Sequence, residues 1–213
     1  MTHNLPQLSF LSENVLLLRF GTVISVQRTR LIQHWFNVLR EDRAVATLVP
    51  TYCDIALTVN DLSRGWSLSD WHAHLSAVSC QETMTESKVV ALSVCFESMP
   101  DGLEEYARAV RLAPSHVIDA ILAAEFCVGM LGFLPGMPYL IGLPETLHCP
   151  RRTDLIKAPA NTLAIGGKQI GVLPSETITG WWPIAQVSEP LFDLAREPMN
   201  RLQVGDSVRF LKN

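Results

Sequence analysis

The alternation of apolar and polar residues divides the chain into a first half of clear helices and strands and a second half of short extended pieces. From Leu8 to Phe20 the pattern LSFLSENVLLLRF predicts two short strands around a turn at Ser12 to Asn14, with Gly21 as a break. The period then changes. Leu31, Ile32, Trp35, Phe36 and Leu39 recur at helical spacing after Ser25, a suitable N-cap, and Arg40 is expected in the last turn, where a cation suits the helix dipole. Ala44 to Pro50 and Asp54 to Val59 are rich in β-branched and small apolar residues and predict two more strands. Leu68, Trp71, Leu75 and Val78 mark one face of a second helix, with His72 and His74 expected on the solvent side. Val89 to Phe96 predicts a strand. Strand, helix, strand, strand, helix, strand is the order of a ferredoxin-like α+β unit.

The polar stretch Ser79 to Ser87 has no apolar period and is expected to be a linker, which divides the chain into domains at 1–84 and 88–213. Beyond it, Asp101 with Glu104 has the form of a capping box for a short helix through Leu103, Ala107 and Val110. A further helix is expected to start at Pro114 and to run through Val117, Ile118, Ile121 and Leu122. At the end of the chain, Gly205-Asp206 predicts a turn, and Val208 and Phe210 are the inward positions of a closing strand.

Between Gly132 and Trp182 glycine and proline are so frequent that only tight loops and short strands are possible. Tyr139, His148, Arg151, Arg152, Lys168, Gln169 and Glu176 crowd into this stretch, where loops on a rigid sheet can present them together. Cys149 lies beside His148, but neighbours in an extended segment face opposite sides, so the pair is not expected to form a nucleophile and its base.

Three separated patterns carry a family resemblance. They are GF-x-PG-x-PYL-x-GLPE-x-L-x-x-PRR from Gly132, APAN-x-x-x-IGGKQ-x-G-x-x-P-x-E from Ala158, and the terminal LFD…P…L-x-x-GDSVRF. Together they resemble the family of the 5-oxoprolinase B subunit, whose relatives are also called allophanate hydrolase subunit 1 or the sporulation-kinase inhibitor. The resemblance implies a cyclophilin-like β-barrel from about Lys88 to Asn213, with two helices inserted early in it. It also assigns Val89 to Phe96 to that barrel, where the element order alone leaves this strand open to either domain.

The resemblance implies an enzyme component as well, a subunit of an ATP-dependent hydrolase that opens 5-oxo-L-proline to L-glutamate. Its partners would be a homologous barrel protein, the C subunit of 5-oxoprolinase, and an ATP-using subunit. Arg151 and Glu176 would then be catalytic, Glu176 as base, with Tyr139, Arg152, Lys168 and Gln169 binding substrate. Two alternatives stand beside this: a non-catalytic module that covers a sensor histidine kinase, and a diverged subunit acting on another amide or urea derivative. The chain departs from the family at Ile121, where a histidine is usual, at Phe126 and Gly129, where tyrosines are usual, and at Lys168, Ile170 and Thr179 in its two signature turns. Each change is expected beside the site.

Composition narrows the classes. With 17 basic and 21 acidic residues and a formal net charge of -4, the 213-residue chain has no electrostatic case for nucleic acid or an anionic membrane. Charged residues are only 18% and apolar ones 48%, which predicts either that a partner covers some apolar surface or that the core is larger than usual. No apolar run reaches the roughly 20 residues of a membrane span, and the N-terminus lacks the pattern of a signal peptide, so the cytoplasm is the expected location. Five scattered cysteines with no C-x-x-C pair argue against a disulfide framework or a zinc site. No phosphate-binding loop is present, so ATP is expected to be bound by a partner subunit, and no metal or organic cofactor is expected in this chain.

Overall fold

A computed structural model describes residues 5–78 and 87–213, which fall in two compact units, Met1–Glu86 and Ser87–Asn213. All but Ser87 of the stretch expected to be a linker lies outside the described residues. The fold class is α+β, a ferredoxin-like unit followed by a barrel.

In the first unit, β1 (Gln7–Ser12) and β2 (Val15–Arg19) form a hairpin. Helix α1 (Val26–Leu39) follows, then β3 (Val45–Pro50), β4 (Asp54–Val59) and α2 (Leu68–Val78). Ser25 caps α1 as expected, its hydroxyl accepting the Arg28 N–H at 3.2 Å. Arg40 is the C-cap itself, one residue beyond the last turn. Ser67 and Asp70 form a capping box at α2: Asp70 N–H donates to the serine hydroxyl at 3.2 Å, and the Asp70 carboxylate accepts the Ser67 N–H at 2.8 Å.

The sheet order is β1-β2-β4-β3, antiparallel throughout. Leu16, Leu18, Ile55 and Leu57 on one face bury against Ile32, Trp35 and Leu39 of α1 and Trp71 and Leu75 of α2. The edge position that the strand after α2 would take in the expected order is filled by β1. The strand at Val89 joins the barrel instead.

His74 is not on the solvent side. Its Nε2 lies 2.7 Å from Asp42 Oδ2, and its ring packs edge-on against Trp66 and Trp71 at centroid distances of 5.1 and 5.9 Å. His72 is exposed.

The second unit is a closed barrel in the order β10-β7-β6-β13-β5-β12-β9. In chain order its strands are β5 (Val89–Cys95), β6 (Phe126–Leu131), β7 (Pro138–Ile141), β9 (Thr162–Gly166), β10 (Gln169–Leu173), β12 (Trp182–Val187) and β13 (Ser207–Lys212). The short strands β8 (Ile156–Ala158) and β11 (Thr177–Thr179) form a separate two-stranded ribbon. Strand β13 runs parallel to β5 and antiparallel to β6, with Val208 and Phe210 buried as expected. The buried Asp206 holds the turn before it, accepting the backbone N–H groups of Gln203 at 2.8 Å and Lys88 at 3.2 Å.

Two helices lie between β5 and β6: α3 (Pro100–Val110) and α4 (Pro114–Ala123). Pro114 opens α4. In α3, however, Pro100 is the first residue and Met99 the N-cap, without a side-chain cap bond, so Asp101 is not the cap. Glu104 pairs with Arg108 at 3.2 Å instead.

The positions expected to depart from the family fall largely inside the barrel. Ile121 and Ile170 are 0% exposed and Phe126 is 1% exposed within the main core, and Gly129 is buried where β6 is bulged against β7. The positions expected beside the site thus lie in the barrel interior, where an apolar group needs no hydrogen-bond partner.

Candidate functional site

Strands β7, β10 and β9 lie side by side, and their residues alternate between the barrel interior and the outer face. Leu140, Ile165, Ile170 and Val172 point inward. Their neighbours on the outer face include Tyr139, Ala164, Gly166, Gln169 and Gly171, with Tyr139 opposite Gly171, Gly171 opposite Ala164, and Gln169 opposite Gly166. The small residues leave a shallow trough. Trp181 fills it, 5% exposed, in a minor apolar cluster with Met137, Ala158, Ala164 and Leu173. A Cβ on Gly166 would stand 2.5 Å from Trp181 Nε1, so only glycine admits the indole.

Two polar side chains meet over this indole. Tyr139 packs against it edge-on, with ring centroids 5.5 Å apart, and the exposed Arg151 guanidinium carbon lies 5.8 Å from the ring centre. Burial pushes the Tyr139 hydroxyl above the ordinary tyrosine pKa, and the nearby Arg151 charge partly opposes that.

The backbone around Arg151 is held at several points. Cys149 N–H donates to the Gly167 carbonyl at 3.1 Å, Arg152 N–H to the Gly180 carbonyl at 2.8 Å, and the Trp182 indole N–H to the Pro150 carbonyl at 2.8 Å. Thr179 accepts the Trp181 backbone N–H on its hydroxyl at 3.0 Å.

The expected site residues separate into groups. Tyr139 and Arg151 come together on Trp181, and Gln169 shares their face of the sheet by register. Lys168 is exposed as the second residue of the two-residue β9–β10 turn, after Gly167 at φ +69. Arg152 points elsewhere, its guanidinium held by Glu105 and Asp154 and stacked over Trp182. Glu176 stands just before the ribbon strand β11, exposed and paired with Lys157 Nζ at 2.7 Å.

Cys149 is 8% exposed in the barrel core, and burial raises its thiol pKa. His148 faces the Leu143 carbonyl at 3.1 Å, so the two do not form a nucleophilic pair. Among the described residues no group of three or more His, Cys, Asp or Glu could hold a metal ion, and no helix is long and apolar enough to cross a membrane.

Sequence reasoning gave no role to Trp181, Trp182, Glu105 or Asp154. The signal available was a doublet of arginines and, downstream, a doublet of tryptophans.

Residues 6–202, which include the first two signature patterns and the start of the third, match the carboxyltransferase domain, subdomain C and D, family. The chain belongs to that family. Among its relatives, the 5-oxoprolinase B subunit of Escherichia coli is 46% identical over 101 residues, a match that spans 47% of this chain and 46% of that protein. The Bacillus subtilis protein of the same name is 28% identical over 97% of this chain and 92% of its own length. The solved structure of TTHA0988 superposes with a TM-score of 0.79 at 26% identity, over 93% of this chain but only 40% of that longer one. This carboxyltransferase-family chain thus has the fold of one part of a larger polypeptide.

Proposed function

We propose that this chain is a subunit of an ATP-dependent 5-oxoprolinase, working with a homologous barrel protein of the C-subunit type and an ATP-using subunit to open 5-oxo-L-proline to L-glutamate. The observation that carries the reading is the near full-length similarity to a B subunit of 5-oxoprolinase, in a chain whose best-matched motif places an exposed guanidinium over an indole. In the reaction water adds to the lactam carbonyl, the ring C–N bond breaks, and the nitrogen takes up a proton to leave as the amine of glutamate. The substrate carries a carboxylate that never reacts. A planar guanidinium suits that group, which assigns Arg151 to orientation of the ring.

Tyr139 and Gln169, on the same outer face, are the groups this reading assigns to the lactam amide, with Lys168 as a second cation at its edge. Glu176 is assigned to deprotonating water. Its pairing with Lys157 is exposed, and such pairs hold together by only about 0–1 kcal/mol, so the carboxylate is free to exchange partners. Arg152 is already held by two carboxylates, which leaves Arg151 and Lys168 as the cations this reading assigns to one small carboxylate. ATP in this reading is held by another subunit.

Reconstitution tests the proposal. The chain mixed with the two other subunits should form glutamate from 5-oxo-L-proline with coupled ATP hydrolysis, and the chain alone should do neither. Activity of the isolated chain would refute the subunit assignment. An inactive mixture in which the three proteins are shown to associate would refute the reaction and favour the non-catalytic binding module.

A further inference from the structure

Arg151 and Arg152 are adjacent, yet only Arg151 is exposed. In an extended segment consecutive side chains point to opposite sides, and Trp181 and Trp182 alternate in the same way. The result is two stacked pairs, Arg151 on Trp181 at 5.8 Å and Arg152 on Trp182 at 4.8 Å. The second pair is closed to ligands. Arg152 Nη1 bonds to Glu105 at 2.5 Å, Nη2 bonds to Asp154 at 3.0 Å, and the side chain is only 11% exposed.

The two carboxylates do different work. Asp154 is two residues along the same loop, so its bond tightens the loop without tying it to anything else. Glu105 belongs to α3, which is fixed in the barrel core through Leu103, Tyr106 and Ala107. The neighbouring Tyr106 grips the same segment a second time: its hydroxyl donates to the Leu147 carbonyl, and its ring lies 6.1 Å from Trp182. One helix therefore holds the 147–152 segment at both ends.

We propose that Glu105, acting through Arg152, is a positioning residue that holds Arg151 over Trp181 for its ligand, and that Arg152 itself does not touch substrate. This rests on the reading of Arg151 as the group that binds the substrate carboxylate. A guanidinium can bridge two carboxylates while its face covers an indole, and an ammonium cannot.

The test uses the full chain and two measurements, calorimetric affinity for 5-oxo-L-proline and amide hydrogen exchange of residues 151–154. Misplacing a binding group by about 1 Å can cost up to about 100-fold, so Glu105→Ala is expected to weaken binding at least about tenfold. Exchange across 151–154 should quicken while β9 and β10 keep their protection, and the melting temperature should hardly move. Glu105→Gln, which retains an acceptor for Arg152, should restore part of both losses.

Unchanged exchange in Glu105→Ala overturns the proposal, and so does faster exchange with unchanged affinity. If the unsubstituted chain and Arg151→Ala fail to bind 5-oxo-L-proline alike, the assignment of Arg151 falls. The exchange measurement then decides separately whether Glu105 holds the segment.

Discussion

Replacing Gly166 with Ala introduces one methyl group at the tightest contact in the candidate site. That Cβ would stand 2.5 Å from Trp181 Nε1 and 2.6 Å from both Cδ1 and Cε2, where ordinary contacts between heavy atoms need roughly 3.5–4.0 Å. The indole would have to retreat by about 1 Å. It has little room to do so, with Tyr139 packed at 5.5 Å, its backbone N–H tied to Thr179, and 5% of its surface free.

Overpacking of this kind costs about 1–3 kcal/mol. For a unit the size of Ser87–Asn213 that lowers the melting temperature by about 4 °C per kcal/mol. Gly167 next door is the control, since nothing lies within 4 Å of its Cβ position and its φ is +69. Gly167→Ala should cost only the left-handed conformation, about 1–2 kcal/mol, and Gly167→Asn less, because asparagine tolerates that region. Calorimetric unfolding measures the stability of each variant, and titration with 5-oxo-L-proline reports whether Arg151 still stands over Trp181. Both should suffer in Gly166→Ala, whereas Gly167→Asn should keep its binding. A Gly166→Ala protein as stable as the original, with affinity intact, would refute the close packing of Trp181 on β9.

Arg151→Lys should weaken carboxylate binding by about 10–100-fold, the loss of roughly 1.5–3 kcal/mol expected when a charged hydrogen bond goes, with the melting temperature unchanged because the side chain is exposed. A loss that merely follows unfolding would remove Arg151 from the site. Asp206→Ala removes the buried carboxylate that accepts two part-buried backbone N–H groups and should cost about 1–3 kcal/mol in urea unfolding; a neutral result would mean water replaces the carboxylate there. Because burial raises the Cys149 thiol pKa, its thiolate is scarcer at neutral pH and becomes available only as pH rises through that raised value, so native Cys149 should alkylate much more slowly than the half-exposed Cys95. Mass spectrometry of labelled peptides checks this, and comparable rates would contradict it. Limited proteolysis should cut first within 79–87 and release a stable fragment from Val89 to Asn213, and a first cut elsewhere would count against two independently stable domains.

Sequence by itself determined the features whose causes span only a few residues. The Ser25 cap, the Pro114 helix start, the hairpin at Ser12 and the inward Val208 and Phe210 follow from local hydrogen bonding and from the two periods of regular structure. Recognition of the family rested on the same local patterns, repeated in the right order. Tertiary structure decided whatever depends on a partner far away along the chain. Strand β5 could serve either unit by its own residues, and it belongs to the barrel because β13, at the other end of the chain, pairs with it. His74 reads as a surface residue on its helix face, and Asp42 before β3 draws it into a pair. Ile121 and Ile170 look like changes beside a ligand, and barrel closure puts them in the core. The two arginines are alike in sequence and a single residue apart. Their roles diverge because Glu105 on α3 reaches one of them, while the other is left to stand over Trp181 in solvent.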